Sequence, residues 1–428
     1  MANACYLGLD IGTSGCRAIA IDGDRSIVAE TRTPLPPPVR NPYGGVEQDP
    51  ELWWNGAIAA LQALADALED RRAVAMCLDA TSATLLLCTP DGRPLGPALM
   101  YNDVRSKAQA AAIAAVAPPE SPARGPASSL AKLLYLKERL GPPAGTLALH
   151  QTDWILGRLA GRYGLSDWNN ALKLGYEPAS EKWPEWIRRL DLDPVGLPRV
   201  LPPGTPVGRL STAASRATGL PAGMLMVAGT TDSTAAVIAT GVREIGEAVT
   251  CLGSTLVLKI LAGDPVAAPD YGVYSHRLGD LWLVGGASNS GGAVLRGLFD
   301  DTAIARLTNA LEPDSPTGLD YYPLVAPGER FPVNDPTLAP RLTPRPVDDT
   351  LFFQGLLEGI ARIEAAGYCR LRALGAPAPT RVLSIGGGAS NAGWTRIRAR
   401  LLGVPVTRAP IQEAAFGSAL LALRSAEP

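Results

Sequence analysis

Apolar and polar positions near the N-terminus alternate in three short runs before any helical spacing appears. Residues 6–10, 17–22 and 26–31 each read as a strand, with Gly, Ser and Thr clustered at 11–15 and an Asp22-Gly23 turn signal. Residues 33–42 are rich in proline and read as a surface loop. Leu52, Ala57, Ala60, Leu61 and Leu64 then recur at helical spacing over 50–68, with Asp49 as the N-cap. Strands are predicted at 73–79 and 84–88, and helices at 106–116, 129–140 and 151–159.

The pattern restarts in the second half. Residues 224–229 read as a strand, 230–233 as a turn and 234–240 as a helix of small residues. Strands at 247–251 and 256–261 flank a turn, and a strand at 382–385 runs through Gly386-Gly387-Gly388 into a helix from about 394 to 402. Leu7-Gly8-Leu9-Asp10-Ile11-Gly12-Thr13-Ser14 and Val249-Thr250-Cys251-Leu252-Gly253-Ser254-Thr255 share one form: strand, Gly-Ser/Thr turn, strand. The chain therefore reads as two related α/β halves.

Composition narrows the chemistry. The 428 residues exceed what one core usually organises, which fits more than one domain. Lys and Arg total 39 against 41 Asp and Glu, so no basic excess favours nucleic acid. Only two histidines occur, His150 and His276, which weakens Ser-His-Asp and zinc-hydrolase readings and leaves a carboxylate to handle any proton. The six cysteines form no CxxC pair and lie in apolar segments, as reduced buried thiols do. No apolar run reaches the ~20 residues of a membrane span, and the first residues lack the pattern of a signal peptide. A soluble cytoplasmic protein is expected, with no membrane contact.

The glycines at Gly8, Gly12 and Gly15 have the wrong spacing for a dinucleotide fingerprint, and the next segment is a strand instead of a helix. No P-loop pattern occurs either. A phosphate at this turn would be held by hairpin N–H groups with the Thr13 and Ser14 hydroxyls; the plainer reading is an ordinary tight turn. The second turn, Gly253-Ser254-Thr255, repeats the arrangement.

Three aspartates close strands. Asp10 beside the first turn would suit Mg²⁺, which uses one or two carboxylates with phosphate oxygens and waters; a turn-forming Asp is the alternative. Asp232, in Gly229-Thr230-Thr231-Asp232, reads as a helix N-cap or as a general base for phosphoryl transfer. Asp79, after a strongly apolar strand, reads as a loop cap or as a ligand for a polar hydroxyl.

In order along the chain these segments resemble the FGGY carbohydrate kinases of the actin-like ATPase superfamily. Residues 9–14 resemble the first phosphate motif, and Glu47-Gln48-Asp49-Pro50-Glu51-Leu52-Trp53-Trp54 the helix start downstream of it. Asp91-Gly92-Arg93-Pro94-Leu95 and Tyr101-Asn102-Asp103-Val104-Arg105 resemble the strand-turn and the W-x-D-x-R region. Residues 229–232 resemble the segment of the catalytic base, 252–255 the second phosphate motif, Gly386-Gly387-Gly388-Ala389-Ser390-Asn391 the adenosine motif, and Glu413-Ala414-Ala415-Phe416-Gly417 its downstream companion. Glycerol kinases and xylulokinases carry Arg-Glu or Met-His pairs near Ser82-Ala83, and both pairs are missing here. Asp79-Ala80-Thr81-Ser82-Ala83-Thr84 instead resembles the D-x-T-x-x-T segment of ribulokinases, and the short chain is most similar to the small D-ribulose kinases of cyanobacteria and plants, in segments such as residues 170–176, 285–289, 318–323 and 328–332.

The resemblance implies an α/β fold of two actin-like (ribonuclease H-like) domains flanking a nucleotide cleft, divided as 1–242 and 243–428. It implies ATP-dependent phosphorylation of the terminal hydroxyl of D-ribulose, with ATP and Mg²⁺ as cofactors, in a monomer or homodimer. Asp232 would be the base and Asp10 would orient the metal. Gly12, Thr13, Ser14, Gly253, Ser254 and Thr255 would cradle phosphates, and Gly387, Gly388 and Asn391 would approach the adenosine. Asp10, Ser14, Asp79, Lys173 and Asp232 would meet the sugar, Lys173 having a surface lysine as its alternative. Another ketose or polyol as substrate, or a non-catalytic actin-fold ATPase, are the rival readings. His150 and His276 fall outside every site motif and are expected to be dispensable.

Overall fold

The structure, a computed structural model, describes residues 3–426. The chain forms two compact units, one from residues 1–239 together with 413–428, the other from Thr240–Gln412. The sequence-based division puts everything after 243 in one domain. In the structure the helix Ala414–Ala426 packs in the first unit instead, because glycines let it come close. A Cβ on Gly8 would overlap the Ala415 carbonyl oxygen, and one on Gly417 would overlap that of Ala235.

In the first unit the mixed sheet runs Ile27–Pro34, Gly15–Ile21, Ala4–Ile11, Arg72–Ala80, Leu225–Val227, Pro206–Arg209. The first two pairings are antiparallel, the next two parallel. In the second unit the path Leu281–Ser288, Leu256–Ala262, Glu247–Leu252, Arg381–Ile385, Val406–Arg408 repeats that order and that sequence of senses. The two halves read from the sequence are thus the same five-stranded topology used twice.

Local signals account for most boundaries. Asp49 accepts the Glu51 N–H at 3.0 Å and Pro50 opens the helix Pro50–Ala67, which buries Trp53, Ala57, Leu61 and Leu64 against the first sheet. The helix Ser129–Leu140 is capped by Ser128 and stopped by Gly141 at φ 54°. The 25-residue helix Asp349–Ala373, for which the sequence pattern predicts no element, carries Gly355, Gly359 and Gly367 on faces pressed against Tyr321, Pro323 and Phe331. Those glycines break the helical signal in the sequence while permitting the packing.

Beneath the second sheet lies a buried ion pair. Arg398 donates to both Glu364 oxygens at 2.6 Å and to Ser384 Oγ at 2.6 Å, and Glu364 accepts from Thr250 Oγ1 at 2.6 Å. Thr250 and Ser384 are partners on neighbouring parallel strands. Both strands run from this clamp into glycine turns.

Candidate active site

In the first unit three carboxylates converge at strand ends. Asp10, on Ala4–Ile11, stands in register with Asp79 on the parallel strand Arg72–Ala80. Thr230 pairs with Asp79 from the other side, which brings Asp232, the first residue of the helix Asp232–Ala239, into the same group. Asp232 is therefore inside the helix, not the residue preceding it. Its Oδ1 accepts the adjacent Ser233 N–H at 2.6 Å.

The three acids perturb one another. Burial lifts the Asp10 carboxyl to about 6, the Asp232 charge adds to the lift, and the Asp79 interaction and the Arg17 charge oppose it. Asp79 is fully buried, and burial followed by the Asp10 charge drives it well above the carboxylate range. Ser418 Oγ donates to Asp79 Oδ2 at 2.6 Å, while Oδ1 makes no close hydrogen bond. The interaction of the two acids lowers Asp10 and raises Asp79, so the proton belongs on Asp79 and the charge on Asp10. Ser418 comes from the C-terminal helix, which no motif of the sequence marks as part of this site.

The turn beside Asp10 closes with Gly12 N–H to Gly15 O at 3.0 Å, and Leu35 N–H to Ser14 O at 2.9 Å ties it to the next loop. Thr13 is partly exposed and Ser14 exposed, so both hydroxyls are open to a ligand. Arg17, opposite Asp10 on the hairpin, is ion-paired with Glu413.

In the second unit the turns at 253–255 and 386–388 lie side by side, because Cys251 and Ile385 are register partners at the ends of parallel strands. Gly386 has φ 84°, and a Cβ there would press on the Leu252 carbonyl; one on Gly388 would press on Leu252 and Trp394. Gln412 Oε1 accepts the Gly386 N–H at 2.9 Å. Ser254 Oγ accepts from Arg296 at 2.8 Å. Asn391 caps the helix Ala392–Leu402, accepting from Trp394 N at 2.8 Å and donating to Thr308 at 3.2 Å, so its side chain is engaged within the protein.

Lys173 lies in the short turn Leu172–Leu174, close enough to Lys132 to depress it. Lys132 is a buried amine that sequence reasoning missed. It donates to the Ala83 carbonyl at 2.8 Å, and burial lowers it to about 7. Ala83 has φ 66°, a left-handed residue in the segment after Asp79. Gln151 and Asn169 were missed as well: with the Thr81 and Thr84 hydroxyls, 2.6 Å apart, they form a buried polar layer in which Asn169 donates to Thr230 at 3.1 Å. Individually these residues look like turn and cap positions in the sequence; only the fold gathers them.

His150 stands between Asp153 Oδ2 and Ser129 Oγ, at 2.9 Å from each. This Ser-His-Asp line is sealed in the interior, where it joins the starts of two helices, and offers no nucleophile to a substrate. Among the described residues no group of three or more His, Cys, Asp or Glu is arranged to hold a metal ion, and no helix is long and apolar enough to cross a membrane.

Comparison with known proteins gives the family. The N-terminal domain of the FGGY family of carbohydrate kinases matches residues 5–239, and the C-terminal domain of the same family matches residues 248–426. The chain is 27% identical over 419 residues to a xylulose kinase of Escherichia coli, covering 93% of this chain and 85% of that one. It is 29% identical to a xylulose kinase of Streptomyces coelicolor, covering 94% and 83%. The solved xylulose kinase structure from Rhodospirillum rubrum superposes with a TM-score of 0.86 at 24% identity, covering 97% and 89%, which establishes the fold.

Proposed function

We propose a substrate and a mechanism for this chain, which belongs to the FGGY family of carbohydrate kinases and is an ATP-dependent sugar kinase. The substrate is D-ribulose, phosphorylated on its terminal hydroxyl to D-ribulose 5-phosphate. The observation that carries this choice is the segment from Asp79 to Thr84. Its two threonine hydroxyls bond each other, and a small buried Ala83 takes the left-handed turn position. No large or charged side chain stands at 82–83, which favours the ribulokinase-like pattern over the pairs of glycerol and xylulose kinases.

Asp232 serves as the general base. Its orientation is set by the Ser233 N–H and by its place at the helix start. The terminal hydroxyl oxygen bonds to the γ-phosphorus, the bond from that phosphorus to the bridging oxygen of ADP breaks, and the hydroxyl proton goes to Asp232. A sugar hydroxyl is weakly acidic, so the proton moves late, and the base contributes roughly 10²–10⁴-fold. Asp79 in its protonated form, with Ser14, presents hydrogen bonds to the sugar. The turns at 253–255 and 386–388 hold the nucleotide through backbone that only glycine lets a ligand approach.

Asp10 suits Mg²⁺. It is a partly buried carboxylate at a strand end beside the 12–15 turn, and a single carboxylate leaves the remaining positions to phosphate oxygens and water, as Mg²⁺ prefers. Bound there, the ion would neutralise charge on the phosphates.

A second reading has its own support: the relatives at 27% and 29% identity are named xylulose kinases, which favours D-xylulose. Turnover of ATP with D-ribulose, D-xylulose, L-ribulose, ribitol and glycerol separates the two. D-ribulose is expected to give the highest kcat/KM. A higher value for D-xylulose selects the second reading, and ATP hydrolysis indifferent to every sugar contradicts both.

A further inference from the structure

Gln151 opens the helix Gln151–Ala160 and is fully buried. Its Oε1 accepts from Thr81 twice, from Oγ1 at 2.7 Å and from the backbone N–H at 3.3 Å. A backbone N–H can only donate, so the amide has one allowed orientation: oxygen toward Thr81, NH₂ away from it. The Gln151 N–H in turn donates to the Thr84 carbonyl at 3.2 Å. The residue is thus tied to both ends of the 81–84 turn, by its side chain to Thr81 and by its backbone to Thr84.

That turn is itself fixed from behind. Lys132 Nζ holds the Ala83 carbonyl at 2.8 Å in a left-handed conformation that a non-glycine residue adopts only when its surroundings over-determine it. Asp79 lies two residues before Thr81 on the same continuous segment.

The locked amide ends in an orphan. Among the described residues Gln151 Nε2 has no hydrogen-bond partner, although it is buried and carries two donors. Thr152 Oγ1, next along the chain, is in the same condition, as is Asn170 Oδ1. Thr152 packs where a Cβ on Gly229 would sit, which places this polar layer against the segment that leads to Asp232. Leaving a buried donor unpaired forfeits its hydration without replacement, and folded proteins rarely keep one without a use. The two bonds from Thr81 fix the oxygen toward that residue and leave the NH₂ turned away from it and unpaired.

Building on the sugar kinase reading above, we propose that Gln151 is a sugar-recognition residue whose Nε2 donates to a non-reacting oxygen of the ketose, and that the 81–84 turn exists in part to aim it. The role is specificity, not chemistry: the residue fixes which hydroxyl or carbonyl pattern is accepted, while the carboxylates handle the proton.

The test is a cycle of protein and substrate changes. In Gln151→Met the donor is lost at similar length, and KM for the ketose is expected to rise at least tenfold while KM for ATP stays within twofold. Deoxy analogues lacking single oxygens are then compared on both proteins. One analogue should lose affinity with the wild type yet be indifferent to Gln151→Met, because the same hydrogen bond is already gone; the other analogues should keep the tenfold penalty. If Gln151→Met fails to fold, judged by loss of its cooperative melt, Gln151→Glu carries the same comparison, since it keeps the acceptor toward Thr81 and replaces the donor by an oxygen. A ketose KM within twofold of wild type, an equal rise for ATP, or an equal penalty on every analogue overturns the assignment of Gln151 alone. A wild type that turns over none of the sugars overturns the functional reading and this assignment with it.

Discussion

Asp10 and Asp79 stand directly opposite each other on adjacent parallel strands, two acids in one register pair, and the buried one holds the proton. Like charges so placed cannot both ionise at neutral pH without a cation. The pair gives the first unit one anion and one neutral acid side by side.

A neutral Asp79 has a neutral isostere. Asp79→Asn should keep the Ser418 hydrogen bond and a donor toward Asp10, so its stability in urea at pH 7 is expected within about 1 kcal/mol of wild type. Asp79→Ala strands Ser418 Oγ and removes the donor, and should cost about 1–3 kcal/mol. An Asn variant as unstable as the Ala variant would show that the buried acid carries charge.

Lys132 predicts a pH dependence with a definite sign. Its folded value, about 7, lies below the ordinary 10.5. Between those values the unfolded chain holds a proton that the folded chain has released, so stability rises with pH across that window and is flat below it. The wild-type minus Lys132→Met difference in unfolding free energy should climb by up to about 1.4 kcal/mol per pH unit from pH 7 to 10.5. A difference that is level or falls across the window contradicts the assignment of a neutral buried amine.

The Arg398–Glu364 clamp sits under the two strands that enter the turns at 253–255 and 386–388. Arg398→Met leaves Glu364 buried without its partner and should cost about 3–5 kcal/mol. Arg398→Met with Glu364→Leu should recover a large part of that loss, measured by urea unfolding. A double variant no more stable than the single one would mean that packing, not the stranded charge, sets the cost.

The C-terminal helix is seated by two glycines. Gly8→Ala and Gly417→Ala each push a methyl into a backbone carbonyl and should destabilise by at least about 2 kcal/mol, read from thermal or urea unfolding. Variants as stable as wild type would show that the helix can sit farther from the Asp10 strand.

Much of this was legible in the sequence, for reasons that differ by residue. Asp10, Asp79 and Asp232 stand out because a charge closing an apolar strand has few local explanations, and the two Gly-Ser/Thr turns announce the repeated topology. The Asp49 cap is a local interaction and is readable from local sequence. Gln151 and Lys132 were invisible because a polar residue starting a helix, or a lysine within one, ordinarily faces water; only tertiary packing buries them. The helix Asp349–Ala373 was hidden by the glycines that its packing requires. Ser418 was missed because nothing in chain order places the last helix beside the first strand.

In the proposed reaction Asp232 takes the proton from a sugar hydroxyl during transfer from ATP. The deciding measurement is ADP release by Asp232→Ala with saturating ATP and D-ribulose, set against the wild type. Sugar-dependent turnover should fall by roughly 10²–10⁴-fold with the melting transition preserved; turnover that persists within about tenfold of wild type would contradict it.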